Sequence, residues 1–194
     1  MTLWSHLIEI ARRMVRQPRE ATGELCQLNL SRDVIVVGFL AVMACSVIVT
    51  EPMLAFAATV FEGEPLPPLA RAIGSTLSAL VFIWVLWKMG ALMGGTGQFD
   101  QVFATFVVLE AIFVLGVAAF SVLMILLPTL AALAGLGFGV YWIWMFSNAL
   151  AEVHRFPSAW KALGIVVVAW IIMNYLGVVL MGLVSGVVGG PSNV

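Results

Sequence analysis

The sequence contains little charge. Only 10% of its 194 residues are Asp, Glu, Lys or Arg, whereas about 25% of the residues in an average soluble domain are charged. The formal net charge is -1, so the chain lacks the clustered bases that bind nucleic-acid phosphates. Together with a mean hydropathy of +1.10, this composition predicts a membrane protein and argues against nucleic acid as a partner.

Cysteine and histidine are also scarce. The two cysteines, Cys26 and Cys45, lie far apart in the sequence, so they form neither a CxxC pair nor a disulfide framework and are predicted to pack as small apolar residues. His6 and His154 are isolated from other ligand-type residues. No metal site or cofactor is therefore predicted, and His154 is expected to hydrogen-bond within its own turn.

No catalytic constellation is recognisable either. The sequence offers no Ser/His/Asp or Cys/His arrangement, and its carboxylates are spread over segments that would lie on different sides of a membrane. We therefore predict that the protein is not an enzyme.

Long apolar runs are what the sequence has in abundance. The central one, Val102 to Leu127, contains 26 residues and a single charge, Glu110. At 1.5 Å per residue it reaches ~39 Å, which is enough to cross a hydrocarbon core of ~30 Å. The same argument predicts an all-α membrane domain of five spans at 34–188, followed by an external tail at 189–194. The predicted spans cover residues 34–50, 71–89, 102–127, 130–151 and 162–188.

The end of the first span has two interpretations. Glu51 and Pro52 follow a 17-residue uncharged run, and a proline there would end or kink the helix. Met53 to Phe61 would then either continue as a bent span or lie on the far membrane surface, and the surface position is the favoured interpretation.

Residues 1–33 are predicted to form a cytoplasmic amphipathic segment. Apolar residues recur there at helical spacing, opposite a polar side that carries Arg12, Arg13 and Arg16; the apolar stripe consists of Leu3, Trp4, Leu7, Ile8, Ala11, Met14 and Val15. Trp4 and the three arginines suit a membrane interface with anionic headgroups. The stripe can equally pack on the ends of the protein's own spans, and the two arrangements can coexist. Pro18 would end the helix.

The basic residues predict the orientation. With five spans, eight of the nine Lys and Arg residues share one side of the membrane and only Arg71 lies opposite. The positive-inside rule then places the N-terminus in the cytoplasm and the C-terminus outside. The localisation predicted is a bacterial inner membrane.

Two short polar connections lie on the predicted cytoplasmic side, GGTGQFDQ at 94–101 and HRFPSAWKALG at 154–164. The first resembles a phosphate-binding loop superficially, but it lacks the Lys-Ser/Thr pair and the preceding strand. Its glycines are therefore predicted to close a tight turn. Glycines four residues apart at 90/94, 135/139 and 182/186 would permit close helix approach and a dimer.

With five spans, the amphipathic N-terminus and these two connections, the chain resembles the Yip family of Ypt/Rab-interacting-protein domain membrane proteins, in its bacterial branch. The resemblance implies an integral-membrane helical bundle without known catalysis. The chain lacks the long polar N-terminal region and the DLYGP-like motif of the eukaryotic branch, so the resemblance does not imply Rab binding. The positions that match the two cytoplasmic turns are Gly94, Gly95, Gly97, Phe99, Gln101, His154, Phe156 and Ser158.

Glu110 requires an explanation because a carboxyl group inside a bilayer is costly. It lies near mid-depth among aromatic neighbours, which disfavour its charged form, and the partners within predicted reach are Lys88, Asn148 and Asn174. The favoured interpretation is a neutral, hydrogen-bonded Glu110 that specifies helix pairing. A proton or cation site, and a site for a lipid or small-molecule headgroup, are the alternatives.

These observations predict a non-enzymatic inner-membrane protein. It would organise the membrane or bind a partner through its cytoplasmic face, with the lipid bilayer and a membrane protein or a second copy of itself as partners. The alternative is a small proton- or cation-coupled transporter or channel that uses Glu110.

Overall fold

A computed structural model of the protein describes the backbone of residues 3–61 and 67–188, and the side chains of residues 3–50, 67–131 and 133–177. Within these residues every element is a helix. The helices are α1 (Leu3–Met14), α2 (Pro18–Gln27), α3 (Arg32–Phe61), α4 (Pro68–Leu92), α5 (Phe99–Leu126), α6 (Pro128–Val153) and α7 (Ala159–Val188). The tail predicted at 189–194 lies outside the described residues.

Five helices of the described chain are long and apolar enough to cross a membrane. Their qualifying segments are Arg32–Thr50, Pro68–Leu92, Phe99–Leu126, Pro128–Val153 and Ala159–Gly177. The prediction of five candidate spans in an all-α protein is confirmed. The connection between α5 and α6 is only Leu127, after which Pro128 begins the next helix, a position where a missing N–H costs nothing.

The helix of the first span does not end at Pro52. Helix α3 continues through Glu51 and Pro52 to Phe61, so the backbone follows the continuous-helix interpretation and not the favoured one of a separate surface segment. A proline inside a helix removes one i to i−4 hydrogen bond. The helix continues beyond it because the residues that follow are apolar and helix-compatible.

Helix α5 occupies the centre of the bundle and packs against α3, α4 and α6. Helix α7 packs between α6 and α4, so that α4 contacts both its sequence neighbours and the last span. The long-range pairing of α4 with α7 closes α4, α5, α6 and α7 into a ring, and α3 packs on α4 and α5.

The buried core lies towards one end of this bundle, which we call the basic end. It is formed by α1, α2, the start of α3, the 93–98 turn and the 154–158 turn. The side chain of Arg32 there contacts Asp100, with its Nε 3.2 and 3.1 Å from the two carboxylate oxygens. The opposite end, which we call the far end, contains the 127 connection, the start of α4 and the C-terminal parts of α3 and α7.

Helix α1 divides its apolar residues between two surroundings. Ile10 and Met14 are fully buried in the core, and Ile10 was not part of the predicted stripe. In contrast, Trp4 is 61% exposed and Ile8 is 64% exposed. On the other edge of α1, His6 and Arg13 both contact the carboxylate of Glu24 in α2.

The arrangement in which the N-terminal stripe packs on the bundle is therefore present for part of α1, and the membrane-interface arrangement stays a prediction. One edge packs on the bundle, and a second edge with Trp4 and Ile8 remains uncovered.

Candidate functional site at the basic end

The turn after α4 begins with a Schellman motif. The backbone N–H of Gly95 donates to the carbonyl of Gly90 at 2.8 Å, and the N–H of Gly94 donates to that of Ala91 at 3.0 Å. Gly94 has a φ of +82°, which glycine adopts without a Cβ penalty. The glycine-rich stretch therefore stops α4 sharply and turns the chain towards α5.

Helix α6 ends in the same way without a glycine. The N–H of Phe156 donates to the carbonyl of Ala151 at 2.7 Å, and the N–H of Arg155 donates to that of Glu152 at 3.0 Å. Arg155 takes the left-handed position with a φ of +57°, where a side chain costs about 1–2 kcal/mol. This turn places His154, the residue before Arg155, against Gly90 and Gly95.

His154 inserts into a space bounded by three glycines, which we call the His154 cradle. A Cβ on Gly90 would overlap the imidazole ring, and one on Gly95 would lie 2.7 Å from its Nδ1 atom. A Cβ on Gly97 would lie 2.7 Å from the carbonyl oxygen of Val153. The backbone N–H of Thr96 also donates to the carbonyl of His154 at 3.2 Å. Because these glycines have no side chains, the 93–98 turn and the 154–158 turn can pack closely against each other.

The His154 ring lies in a closed space. It is 1% exposed, and burial lowers its pKa below the usual value, an effect that the nearby backbone of Leu86 partly offsets. Neither ring nitrogen makes a hydrogen bond of regular geometry within the described residues. The expectation that His154 hydrogen-bonds within its own turn is therefore wrong, because its neighbours come from α4 and the 93–98 turn.

The remaining predicted positions of the two turns support this junction. Phe156 stacks on His154 with ring centroids 5.4 Å apart, and the Nζ atom of Lys161 lies 4.7 Å from the Phe156 ring. The hydroxyl of Ser158 accepts a hydrogen bond from the N–H of Trp160 at 3.2 Å, as expected of a residue that caps a helix start.

Gln101 and Phe99 fix the start of α5. The backbone N–H of Gln98 donates to Oε1 of Gln101 at 3.1 Å, which is half of a capping box. The ring of Phe99 contacts that of Trp87, with centroids 5.6 Å apart. Both residues therefore have a local structural role beside the His154 cradle.

Cys26 lies behind the junction, where α2 packs between α5 and α6. Burial, with the charge of Glu152 adding to it, raises the pKa of the Cys26 thiol to about 11. A cavity of about 220 Å³ adjoins it, lined also by Asn29, Gln98 and Asp100. A thiol with this pKa is largely protonated at neutral pH and is unsuited to nucleophilic chemistry.

The outer surface of α1 presents bases beside its exposed apolar edge. Arg12, Arg13 and Arg16 line a groove of about 320 Å³ together with Glu9 and Gln17. Arg13 forms an ion pair with Glu24. The Nη1 atom of Arg12 lies 3.9 Å from Oε2 of Glu9, one turn earlier in α1. The groove offers guanidinium donors to an anion at the surface.

Glu110 lies away from this site, in the middle of α5. The Ser46 hydroxyl of α3 donates to its Oε1 atom at 3.3 Å. The amide nitrogens of Asn148 and Asn174 instead donate at 2.8 Å to the carbonyls of Trp144 and Trp170, four residues earlier in their own helices.

Lys88 also has a local partner, since its Nζ atom lies 4.4 Å from the Trp87 ring. The structure thus pairs Glu110 with Ser46. Lys88, Asn148 and Asn174, which were predicted as partners of Glu110, contact groups on their own helices instead.

Two residues that make these contacts were missed by sequence reasoning. Gly90 was interpreted as a dimer glycine, but it is buried inside the chain against His154. Ser46 was not singled out because one hydroxyl in an apolar run gives no signal of its own. Among the described residues, no group of three or more His, Cys, Asp or Glu side chains is placed to hold a metal ion.

Comparison with known proteins gives one match. The profile of the Yip1 domain family matches residues 12–181, a stretch that runs from within α1 into α7 and includes both turns, the His154 cradle and Glu110. No curated protein and no solved structure matches the chain.

Proposed function

Because the chain belongs to the Yip1 domain family, we propose that it is a non-enzymatic multi-pass protein of the bacterial inner membrane. Its basic end faces the cytoplasm, where it organises the adjoining membrane surface and binds partners. The bilayer is its first partner, and a membrane protein or a second copy of the chain is the next.

The observation that carries this proposal is the divided apolar face of α1. Ile10 and Met14 fasten the helix to the bundle, while Trp4 and Ile8 stay uncovered beside Arg12. On a helical wheel at 100° per residue, Trp4, Val15 and Ile8 form one edge that continues into Arg12 and Arg16. An apolar edge followed by bases is the pattern of a helix that lies in a membrane interface.

The charges of this edge favour an anionic surface. Each Lys or Arg near an anionic bilayer contributes about 1 kcal/mol of attraction, and burial of the Trp4 and Ile8 side chains adds about 1.5–3 kcal/mol for each residue fully covered. Helix α1 is fixed to α2 by the contacts of Glu24 with His6 and Arg13. Insertion of the edge would therefore hold the whole basic end against the membrane.

The partner-binding part of the proposal rests on the 154–158 turn and the start of α7. This surface is rigid because the cradle and the two helix ends fix it, and next to it Trp160 is 78% exposed. A large exposed aromatic side chain on a rigid surface is a common anchor of protein interfaces.

A fluorescence experiment tests the membrane contact. An environment-sensitive dye is attached at Trp4→Cys or, as the matched control, at Ser5→Cys, in a background with Cys26→Ala and Cys45→Ala. Ser5 is exposed, and it lies on the polar side of the same turn. In vesicles with 30% anionic lipid we expect a blue-shifted emission at position 4 and not at position 5, with the shift reduced by Arg12→Gln/Arg16→Gln. Equal emission at the two positions would contradict the proposal.

A crosslinking experiment tests the partner surface and the orientation. A photoreactive amino acid replaces Trp160 at the basic end or Leu127 at the far end, where Leu127 is 49% exposed. We expect discrete crosslinked protein products from position 160 in cells. For the orientation, we expect a Ser158→Cys variant to react with impermeant thiol reagents only from the cytoplasmic side. Labelling of Ser158→Cys from outside, or protein products from position 127 alone, would contradict it.

A proton-coupled transporter is the second candidate function. The observation in its favour is the Ser46–Glu110 hydrogen bond inside the membrane. If the purified protein in vesicles moved a solute while position 160 gave no crosslinked product, this candidate would replace the first.

A further inference from the structure

A cavity of about 350 Å³ lies between α3 and α4 in the far half of the bundle. Its walls are Ser46, Val47 and Thr50 from α3, and Ala70, Arg71, Gly74 and Ser75 from α4. Four of these seven residues are polar, although they lie in segments that are otherwise strongly apolar. Polar side chains grouped inside a span need an explanation.

The hydroxyl groups of the cavity leave acceptors available. Thr50 donates to the carbonyl of Ser46 at 2.8 Å, Ser75 donates to that of Ala72 at 3.1 Å, and Ser46 donates to Glu110. Each hydroxyl oxygen has two lone pairs besides its donor. The cavity therefore contains groups that can accept hydrogen bonds from water, and it is far larger than the ~30 Å³ that one water occupies in the liquid.

The cavity extends from the far end to the depth of Glu110. Arg71 lies in the first turn of α4, at the far end of the bundle, and Ser75 follows one turn further into α4. Ser46 is 14 residues from Arg32 at the start of α3, or ~21 Å along the helix. The polar groups thus form a row from Arg71 at the far end to the carboxyl of Glu110.

Towards the basic end, α3 is closed by its packing on α5. Met43 in α3 is buried, and the rings of Phe39 and Phe103 pack edge to face with centroids 5.2 Å apart. Leu109, next to Glu110, is 1% exposed. Apolar packing of this density leaves no room for water.

We infer that water enters this cavity from the far end and reaches Ser46, so that Glu110 is a water-accessible carboxyl open to that side of the membrane alone. Arg71 is a charged residue that lines the same cavity. A proton taken up by Glu110 would come from water on that side. The inference goes beyond the proposed function of the basic end and does not depend on it.

Cysteine labelling tests the inference with a control that the chain provides. Cys45 is exposed on α3, at the same depth as Ser46 but towards lipid. Ser46→Cys and Thr50→Cys are made with Cys26→Ala and Cys45→Ala, and the native Cys45 is kept in a separate Cys26→Ala protein. A small, charged methanethiosulfonate reagent is added to sealed vesicles of known orientation.

We expect both introduced cysteines to react from the far side at least tenfold faster than Cys45. The variant Thr50→Cys retains the Ser46–Glu110 hydrogen bond, so its result stands even if Ser46→Cys folds poorly. If neither variant reacts faster than Cys45, lipid chains fill the cavity and the inference is wrong. Faster reaction from the basic end would also overturn it.

Blocking the cavity gives a second measurement. Gly74 lines the cavity, and a Cβ on it would meet no atom within 4 Å, so we expect Gly74→Leu to place its side chain in the cavity. We expect it to slow labelling of Ser46→Cys and Thr50→Cys at least fivefold. The matched control is Gly137→Leu, since Gly137 also has open space around it but lies on α6 away from the cavity. An equal effect of the two substitutions would contradict the inference.

Discussion

The basic and far ends of the bundle are held together by different means. At the basic end, two Schellman motifs, a hydrogen bond between turns and the seated His154 fix the backbone at specific distances. In the far half, side chains such as Ile125 and Leu136 are 77% and 72% exposed and would contact lipid. Lipid tails provide little driving force for helix association. The difference indicates that specific structure among the described residues is concentrated at the basic end.

The largest effect is expected from closing the His154 cradle. Gly90→Ala places a methyl group on the imidazole ring, and overpacking of this kind should lower the free energy of unfolding by about 3 kcal/mol. The measurement is unfolding in mixed micelles by titration with denaturing detergent. Gly137→Ala is the control, which should lose no stability because its surroundings are open. A Gly90→Ala protein as stable as the parent would show that the two ends do not differ in this way.

Acidification should weaken the basic end next. The pKa of folded His154 lies below that of an unfolded histidine, near 6.5, so the unfolded chain binds the additional proton. The contribution of His154 to the free energy of unfolding is therefore fully present above pH ~6.5. It is lost as the pH falls from there towards the folded pKa, and the free energy of unfolding decreases by up to ~1.4 kcal/mol per pH unit. Detergent unfolding between pH 7.5 and 5 should show this slope, and His154→Asn should remove it. An unchanged slope in His154→Asn would assign it to other groups.

Exchange of residues at the two left-handed positions should give smaller effects of opposite sign. Gly94→Ala imposes a Cβ at a φ of +82° and should destabilise by about 1 kcal/mol, whereas Arg155→Gly relieves a similar strain and should stabilise by about 1 kcal/mol. Both are measured by the same unfolding titration. If Arg155→Gly destabilises the protein, contacts of the Arg155 side chain outweigh its backbone strain.

The smallest effect is expected in the far half. A Cβ on Gly135 would lie 2.9 Å from the ring of Phe120, but that ring is only half-buried and can rotate away. Gly135→Ala should therefore change stability by less than about 1 kcal/mol, since a gain in helix propensity offsets the contact. A loss as large as that of Gly90→Ala would remove the contrast between the two ends.

Local patterns in the sequence were sufficient for the helices. The number of candidate spans follows from hydropathy alone, because a run such as Val102 to Leu127 has to be satisfied as a helix wherever it packs. The turn at Gly94 and the cap at Ser158 follow from residue chemistry at helix ends.

Contacts between distant segments were not predictable in this way. The interpretation of Gly90 failed because its neighbour, His154, is far along the chain, and four-residue glycine spacing is the same inside a protomer as between two. Glu110 was assigned the amides of Asn148 and Asn174, which can satisfy themselves on their own helices. A serine such as Ser46 becomes informative only when the packing of α3 on α5 is known.

The ring of helices also has a consequence for how the chain is made. Helix α4 leaves the ribosome early, but its partner α7 follows about 70 residues later. At a synthesis rate of ~5–20 residues per second, the face of α4 that α7 covers waits for several seconds among lipids or against the insertion machinery. The last span therefore acts as the closing step of biogenesis, and nascent chains that stop after α6 are expected to be substrates for membrane proteases.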